Sequence, residues 1–189
     1  MTGSPMNQAL RIALPSLLVL GALTACGSGE PAKTTSPAPP ATSVAHSSAP
    51  APAGPPPVPE PAAAGTCPYL EKSFVAEANG QLVREVRLSA DQPRPACFFY
   101  ANATDVQLSV WVFEGDAKTA KAVVDRAAPV ADSSPASAPA GWAGGSLSGA
   151  QGAVYAVAKD GAAVVVTSNQ QQSIKAKRIA ETVIGNLGL

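Results

Sequence analysis

The chain has 189 residues, and its 13 basic and 13 acidic side chains give a formal net charge of zero at pH 7. This balance argues against the basic surface that nucleic-acid binding requires, and we expect no nucleic-acid partner. The length allows one domain of moderate size beside segments that do not fold. The single histidine, His46, lies in a proline-rich region, so we expect no Ser-His-Asp or Cys-His catalytic site.

The N-terminal segment has the features of a lipoprotein signal peptide. Arg11 precedes an apolar run over residues 12–23, which has the length of a signal-peptide core and is too short to cross a bilayer as a helix. Leu23-Thr24-Ala25-Cys26 has the pattern of a bacterial lipobox. We predict that residues 1–25 are cleaved and that Cys26 receives a lipid anchor with palmitate-type chains. An uncleaved membrane anchor is the alternative, and either one places the remaining chain on the extracytoplasmic face of the cell membrane.

Residues 26–65 combine the lipidated Cys26 with a segment dominated by Pro, Ala, Ser and Thr. The segment contains no aromatic residue and few charges, so it cannot build a hydrophobic core. Such segments are disordered or partly polyproline II, with at most about 3.1 Å per residue, and this one would extend on the order of 100 Å. We predict a disordered linker that holds a folded domain away from the membrane.

Two cysteines remain once Cys26 carries lipid. Cys67 and Cys97 have neither the C-x-x-C spacing of a redox pair nor the neighbouring histidine of a common metal site. A disulfide is the usual state of such a pair in an exported protein. The bond would close a loop of about thirty residues and stabilise the domain by about 3–4 kcal/mol. We predict this disulfide, and neither a metal nor a cofactor.

Residues 66–189 have the patterns of a single α+β domain. The predicted elements are a helix from Thr66 to Gly80, strands over 82–88, 96–100 and 106–113, a helix from Asp116 to Ala128, a loop over 131–152, strands over 153–158 and 162–167, and a C-terminal helix. Asp160-Gly161 indicates a hairpin between the last two strands. Ser168 and Gln171 have the form of a capping box for the last helix. We predict a mainly antiparallel sheet of about five strands with three helices packed against it, in a sandwich-like arrangement.

Five short segments of this domain are arranged as in a known family. They are Cys67-Pro68-Tyr69-Leu70, Ala96-Cys97-Phe98-Phe99-Tyr100, Gly141-Trp142-Ala143-Gly144-Gly145, Ala153-Val154-Tyr155-Ala156 and Asn169-Gln170-Gln171-Gln172-Ser173. In this order they resemble the actinobacterial lipoproteins classed as domain of unknown function 2020, over essentially all of residues 66–189. The resemblance implies an envelope lipoprotein. It implies no catalytic residues, because that family has no established activity.

Two features of the domain are candidates for ligand contact. Trp142 lies between glycines in the predicted loop, where it is either a recognition side chain or a plug that packs over Trp111 and Phe113. The amide groups of residues 169–172 either bind an anion or a sugar hydroxyl at the predicted helix N-terminus, or cap the helix. The candidate contact residues are Trp111, Trp142, Tyr155, Asn169, Gln170, Gln171 and Gln172.

The expected function is that of a non-enzymatic binding or interaction module, attached to the membrane through Cys26, with an envelope glycan, lipid or protein as its partner. The alternative is a cell-wall enzyme that uses paired carboxylates or a Ser-Lys pair. Glycoside chemistry requires two acids in one cleft, whereas Asp116 is explained as a helix cap and Asp160 as a turn residue. A Ser-Lys pair requires Lys159 or Lys175 to approach a serine.

Overall fold

The computed structural model of the chain describes residues 54–189, so the predicted signal peptide, Cys26, His46 and most of the predicted linker lie outside the described residues. The elements are β1 (Ala63–Ala64), α1 (Lys72–Asn79), β2 (Glu85–Leu88), β3 (Cys97–Tyr100), β4 (Val106–Glu114), α2 (Ala117–Ala127), β5 (Ser134–Ala138), a 3-10 turn (Pro139–Gly141), β6 (Trp142–Gly149), β7 (Gly152–Lys159), β8 (Ala162–Ser168) and α3 (Ser173–Leu187). Within residues 54–189, no helix combines the length and the apolar composition that a membrane span requires.

The strands form one antiparallel sheet in the order β1-β2-β3-β4-β8-β7-β6-β5. β4 and β8 are its central pair, with register partners that run from Leu108 and Ser168 to Glu114 and Ala162. On either side of this pair, strands adjacent in the sequence are adjacent in the sheet, so the sheet consists of two antiparallel meanders joined at β4 and β8. The predicted α+β class is confirmed, but the sheet has eight strands rather than about five.

Helices cover both faces of the sheet. α1 and α3 pack on one face, here called the helix-pair face, over a core that includes Leu108, Val110 and Val112 of β4. α2 packs on the opposite face, here called the α2 face. Trp111 and Phe113 contact this second core, and their rings meet edge to face with centroids 6.5 Å apart. Because successive side chains of β4 point to opposite faces, the strand contributes apolar side chains to the core on each face. The aromatic side chains of Trp111 and Phe113 are covered by α2.

The start of the first helix differs from the prediction. The helical pattern begins near Thr66, whereas α1 begins at Lys72. The residues between them are held to β3 by the predicted disulfide of Cys67 and Cys97, which is confirmed with Cα atoms 5.7 Å apart. The Tyr69 hydroxyl also donates a hydrogen bond of 2.9 Å to the carbonyl oxygen of Pro95, just before β3. These tertiary contacts override the local helical preference, which is weak by comparison.

The predicted helix ends have mixed outcomes. Gly80 ends α1 in the left-handed conformation, with φ 74°, as a C-terminal glycine usually does. Asp116 caps α2 as predicted, because its carboxylate accepts a hydrogen bond of 2.9 Å from the Thr119 N–H. The capping box at α3 is wrong, since Ser168 is the last residue of β8 and the N-cap position of α3 is Gln172.

The predicted loop over residues 131–152 is also wrong, because it contains β5 and β6. Its small residues have little preference for strands, so the sequence pattern does not indicate them. The sheet nevertheless requires small residues there. A Cβ on Gly144 would lie 2.0 Å from the carbonyl oxygen of Ala156 on the neighbouring strand β7, which no side chain could tolerate.

The ordered part of the domain begins before the predicted boundary at Thr66. Ala63 and Ala64 form β1 and pair with Leu88 and Arg87 of β2. Pro56, Pro57, Pro59 and Pro61, which the composition assigns to the linker, lie over the α2 face. Packing against aromatic side chains therefore orders a proline-rich segment that has no structure of its own.

Candidate functional site

The structure separates the aromatic residues of the predicted ligand site. Trp142 is 2% exposed and lies in the core of the helix-pair face, whereas Trp111 lies on the α2 face. Trp142 is therefore neither an exposed recognition side chain nor a plug over Trp111. Its indole Nε1 has no hydrogen-bond acceptor within residues 54–189. The interpretation as a buried residue is right, but the predicted partners are wrong.

Tyr155 has a structural role in the sheet. Its ring is buried, and its hydroxyl donates a hydrogen bond of 2.6 Å to the carbonyl oxygen of Ser137. Burial raises the pKa of Tyr155, and the negative charge of Glu181 adds to the effect. The hydroxyl thus stays protonated and joins β7 to the edge strand β5 across β6.

Asn169 and Gln170 of the predicted amide stretch before α3 join a polar network, here called the Asn79 network, made of Asn79, Gln107, Ser168, Asn169 and Gln170. Asn79, Gln107 and Ser168 are buried, whereas Asn169 is exposed. The side chain of Asn79 is fully buried, and its Nδ2 donates to Gln107 Oε1 at 3.1 Å and to Asn169 Oδ1 at 3.3 Å. Ser168 Oγ donates to Asn79 Oδ1 at 2.7 Å, and the Gln170 N–H donates to Ser168 Oγ at 3.0 Å. Asn169 and Gln170 therefore bind protein groups, while the side chains of Gln171 and Gln172 are exposed.

Lys175 takes part in the same arrangement. Its Nζ donates to the carbonyl oxygen of Asn79 at 3.1 Å and to Gln170 Oε1 at 3.2 Å. Asn79 is the last residue of α1, so the ammonium group neutralises part of the negative end of that helix. This geometry gives Lys175 a structural partner rather than a catalytic serine.

Five acidic side chains among residues 54–189 form ion pairs with a nearby basic side chain. The ion pairs are Glu85–Arg87, Glu114–Arg94, Asp125–Lys121, Glu181–Lys177 and Glu77–Arg178. Hydrogen bonds to Arg87, Asn102 and Thr119 lower the pKa of Glu85, Asp105 and Asp116 respectively. A general acid at neutral pH requires a raised pKa, so these three carboxyl groups have the opposite property. Among residues 54–189 there is also no group of three or more potential metal ligands.

An apolar cleft, here called the α2–β6 cleft, lies beside α2 and has a volume of about 260 Å³. Val124 and Ala128 of α2 form one wall, and small residues of β6 form the other. Val130 lines the cleft and is 78% exposed, which is the largest exposure among the big apolar side chains of the described residues. The ion pair of Lys121 and Asp125 adds charge to the lining. The residues that line the cleft are Lys121, Val124, Asp125, Ala128, Val130, Ser133, Pro135, Ala143, Gly144, Gly145 and Ala158.

A second cavity, here called the strap groove, lies over β4 on the same face of the sheet and has a volume of about 240 Å³. Trp111 and Phe113 line it together with the proline strap, a name used here for residues 55–61. Arg126 of α2 donates from Nη1 to the carbonyl oxygen of Pro56 at 2.6 Å, and its guanidinium carbon lies 5.4 Å from the ring centroid of Trp111. The Nε of Arg94 pairs with Glu114 at 2.8 Å, while its buried Nη1 has no partner within residues 54–189.

Sequence reasoning missed Val130 and the proline strap. Val130 was overlooked because a single exposed apolar residue after a helix carries no periodic signal. The strap was overlooked because its composition indicates disorder. The sequence does contain a run of prolines and two aromatic residues on the polar side of β4. Only the topology shows that these two features pack against each other.

Comparison with known proteins agrees with the resemblance described above. The family model described as Domain of unknown function (DUF2020) matches residues 49–189, which is well over half of the chain. The match begins within the proline-rich segment, five residues before the first described residue. No curated protein matches the chain.

Proposed function

Because the chain belongs to the family described as domain of unknown function (DUF2020), whose description assigns no activity, we propose a function from its own residues. The protein is a lipid-anchored lipoprotein of the actinobacterial cell envelope, and its folded domain is a non-enzymatic binding module. The α2–β6 cleft is the observation that carries the binding role. The lowered pKa values of Glu85, Asp105 and Asp116 make these three carboxyl groups unsuited to act as a general acid at neutral pH.

The anchor rests on the lipobox that ends at Cys26 and on the proline-rich linker after it. The disulfide between Cys67 and Cys97 supports export, because such bonds persist in oxidising compartments. The test is metabolic labelling with an alkyne analogue of palmitate in an actinobacterial host. Wild-type protein and Ser28→Ala should be labelled and should fractionate with membranes, whereas Cys26→Ser should lose both properties. Labelling of Cys26→Ser would refute the anchor.

The ligand of the α2–β6 cleft is an amphiphile with a short apolar group. The cleft is smaller than most drug-sized ligand sites, which span about 300–1,000 Å³, so it holds part of a molecule rather than a whole one. Most of its lining consists of Val, Ala and Pro side chains and the bare backbone of Gly144 and Gly145, while Lys121, Asp125 and Ser133 are its polar side chains. A sugar would leave most of its hydroxyl groups without partners against the apolar part of this lining. An acyl segment fits this part, with its polar group near Lys121.

The test of this site compares two variants that place a charge at an exposed apolar position. Val130→Asp puts a carboxylate in the cleft lining, and Leu82→Asp puts one at a residue that is 67% exposed elsewhere. The probes are octanoate and N-acetylglucosamine, and the readout is the melting temperature of the full chain. Octanoate should raise the melting temperature of wild type and Leu82→Asp but not of Val130→Asp, since only binding to the native state stabilises it. A response to N-acetylglucosamine alone, or an equal response of all three proteins to octanoate, would refute the proposed ligand.

A further inference from the structure

The proline strap follows a defined path over the α2 face. It begins beside Arg126 of α2, where the carbonyl oxygen of Pro56 accepts a hydrogen bond of 2.6 Å. Pro56, Pro57 and Pro59 line the strap groove with the aromatic residues of β4. Pro61 lines a neighbouring cavity with Phe98 and other residues of the sheet. The Ala62 N–H then donates to the carbonyl oxygen of Leu88 at 2.8 Å, where the chain reaches the edge of the sheet.

These contacts are those that proteins use to bind proline-rich peptides. A run of prolines loses little conformational entropy on binding, because each ring already fixes φ. Its exposed carbonyl oxygens accept hydrogen bonds from side chains, and its rings pack against aromatic side chains in a groove. The strap groove supplies both kinds of partner, since Trp111 and Phe113 provide the aromatic surface and Arg126 provides the donor.

We propose that the strap groove is a binding site for proline-rich segments and that its resident ligand is the chain's own residues 55–61. The groove binds this segment in cis and fastens the end of the linker to the α2 face. Arg94 also lines the groove, and with the strap in place its Nη1 has no acceptor within residues 54–189. This proposal does not depend on the α2–β6 cleft or on the lipid anchor.

The experiment supplies the same segment in trans. The probe is a fluorescent peptide with the sequence of residues 54–62, Gly-Pro-Pro-Pro-Val-Pro-Glu-Pro-Ala, and the readout is fluorescence anisotropy. A triple variant of the full chain, Pro56→Ser, Pro57→Ser and Pro59→Ser, weakens the strap and leaves Trp111, Phe113 and Arg126 unchanged. The peptide should bind this variant at least tenfold more tightly than wild type, because a tethered ligand competes at an effective concentration of about 1 mM.

Two controls separate specific recognition from a general affinity for peptides. A peptide in which every proline is replaced by alanine should bind the triple variant at least tenfold more weakly. Adding Arg126→Gln to the triple variant should also weaken binding of the proline peptide, and Arg126 is exposed, so its replacement leaves the core intact. Circular dichroism confirms that each variant is folded.

A second measurement uses single substitutions and no peptide. Arg126→Gln in the otherwise wild-type chain should increase the quenching of tryptophan emission by acrylamide, because release of the strap uncovers Trp111 while Trp142 stays buried. Lys118→Gln, at an exposed position of the same helix, should leave quenching unchanged. Equal peptide affinities for wild type and the triple variant, or equal affinities for the proline and alanine peptides, would overturn the proposal.

Discussion

Replacing Asn79 with alanine tests whether the amide groups before α3 act in folding rather than in ligand binding. The substitution removes the donor to Gln107 Oε1 and the acceptor of Ser168 Oγ. Each of these buried partners keeps one other hydrogen bond, to Leu82 and Gln170 respectively. The substitution also removes the bond from Asn79 Nδ2 to Asn169 Oδ1, but Asn169 is exposed and water replaces this bond. The two bonds lost to buried partners, at about 1 kcal/mol each, together with the desolvated groups that remain, lower the free energy of unfolding by about 3 kcal/mol.

Urea denaturation at pH 7, followed by circular dichroism, measures this loss. With a denaturant slope of about 2 kcal/mol per molar urea, the midpoint of Asn79→Ala should fall by about 1.5 M. Gln171→Ala and Gln172→Ala are matched controls from the same amide stretch, and exposed substitutions of this kind change stability by less than about 0.5 kcal/mol. A midpoint for Asn79→Ala within about 0.2 M of wild type would refute the network as a stabilising element.

Three further predictions concern the sheet, the disulfide and the cap of α2. Gly144→Ala should destabilise the domain by about 1–3 kcal/mol in urea denaturation, because its Cβ would overlap a carbonyl oxygen of β7, whereas Gly149→Ala, with open space around it, should be neutral. Replacing Cys67 and Cys97 together with serine should lower stability by about 3–4 kcal/mol, and excess reductant should give the same loss in wild type. Asp116→Asn should lower the melting temperature at pH 7 but not in acid. The pKa of this carboxylate is lowered by its hydrogen bond to Thr119, so its stabilisation is present above the unfolded-state pKa and disappears as pH falls through the folded-state pKa.

The elements that the sequence predicts well are those whose pattern and packing agree. β4 alternates strictly, α2 has both a cap and an apolar stripe, and Asp160-Gly161 joins two runs rich in Val and Ala. Each of these three features satisfies its own hydrogen bonds and also faces a core. Local preference and tertiary packing therefore favour the same conformation, and such elements can be predicted from the sequence.

The sequence pattern fails to predict the elements in which a tertiary contact, rather than local preference, sets the backbone conformation. β5 and β6 consist of Ser, Gly, Ala and Pro because β6 must approach β7 closely at Gly144, and close approach removes the branched side chains that mark a strand. The segment over residues 66–71 keeps a helical pattern but is held in a non-helical, bent conformation by the disulfide and by Tyr69. No window of local sequence contains either constraint, since both come from a distant strand.

Asn169 shows the same limit of local sequence, because it has a distant protein partner, while contact of the exposed Gln171 and Gln172 with a ligand stays a prediction. A polar side chain in the sequence looks available for a ligand until its protein partner is known, and the partner of Asn169 is Asn79, ninety positions earlier. Asn79 itself is placed on the buried side of α1, where an apolar residue is expected, and that mismatch was the one readable sign of the network. A buried asparagine requires hydrogen-bond partners, and Gln107 and Ser168 supply them from distant strands.

In the proposed lipid-anchored protein, the strap would change the position of the domain relative to the membrane. It would remove residues 54–65 from the tether, and at about 3.1 Å per residue this would shorten the maximum reach by roughly 37 Å. The described chain begins on the α2 face, which carries the α2–β6 cleft as well. Release of the strap would therefore lengthen the tether without changing the cleft. It follows that Arg126→Gln should preserve the response of the full chain to octanoate, whereas Val130→Asp should abolish that response and leave the strap in place.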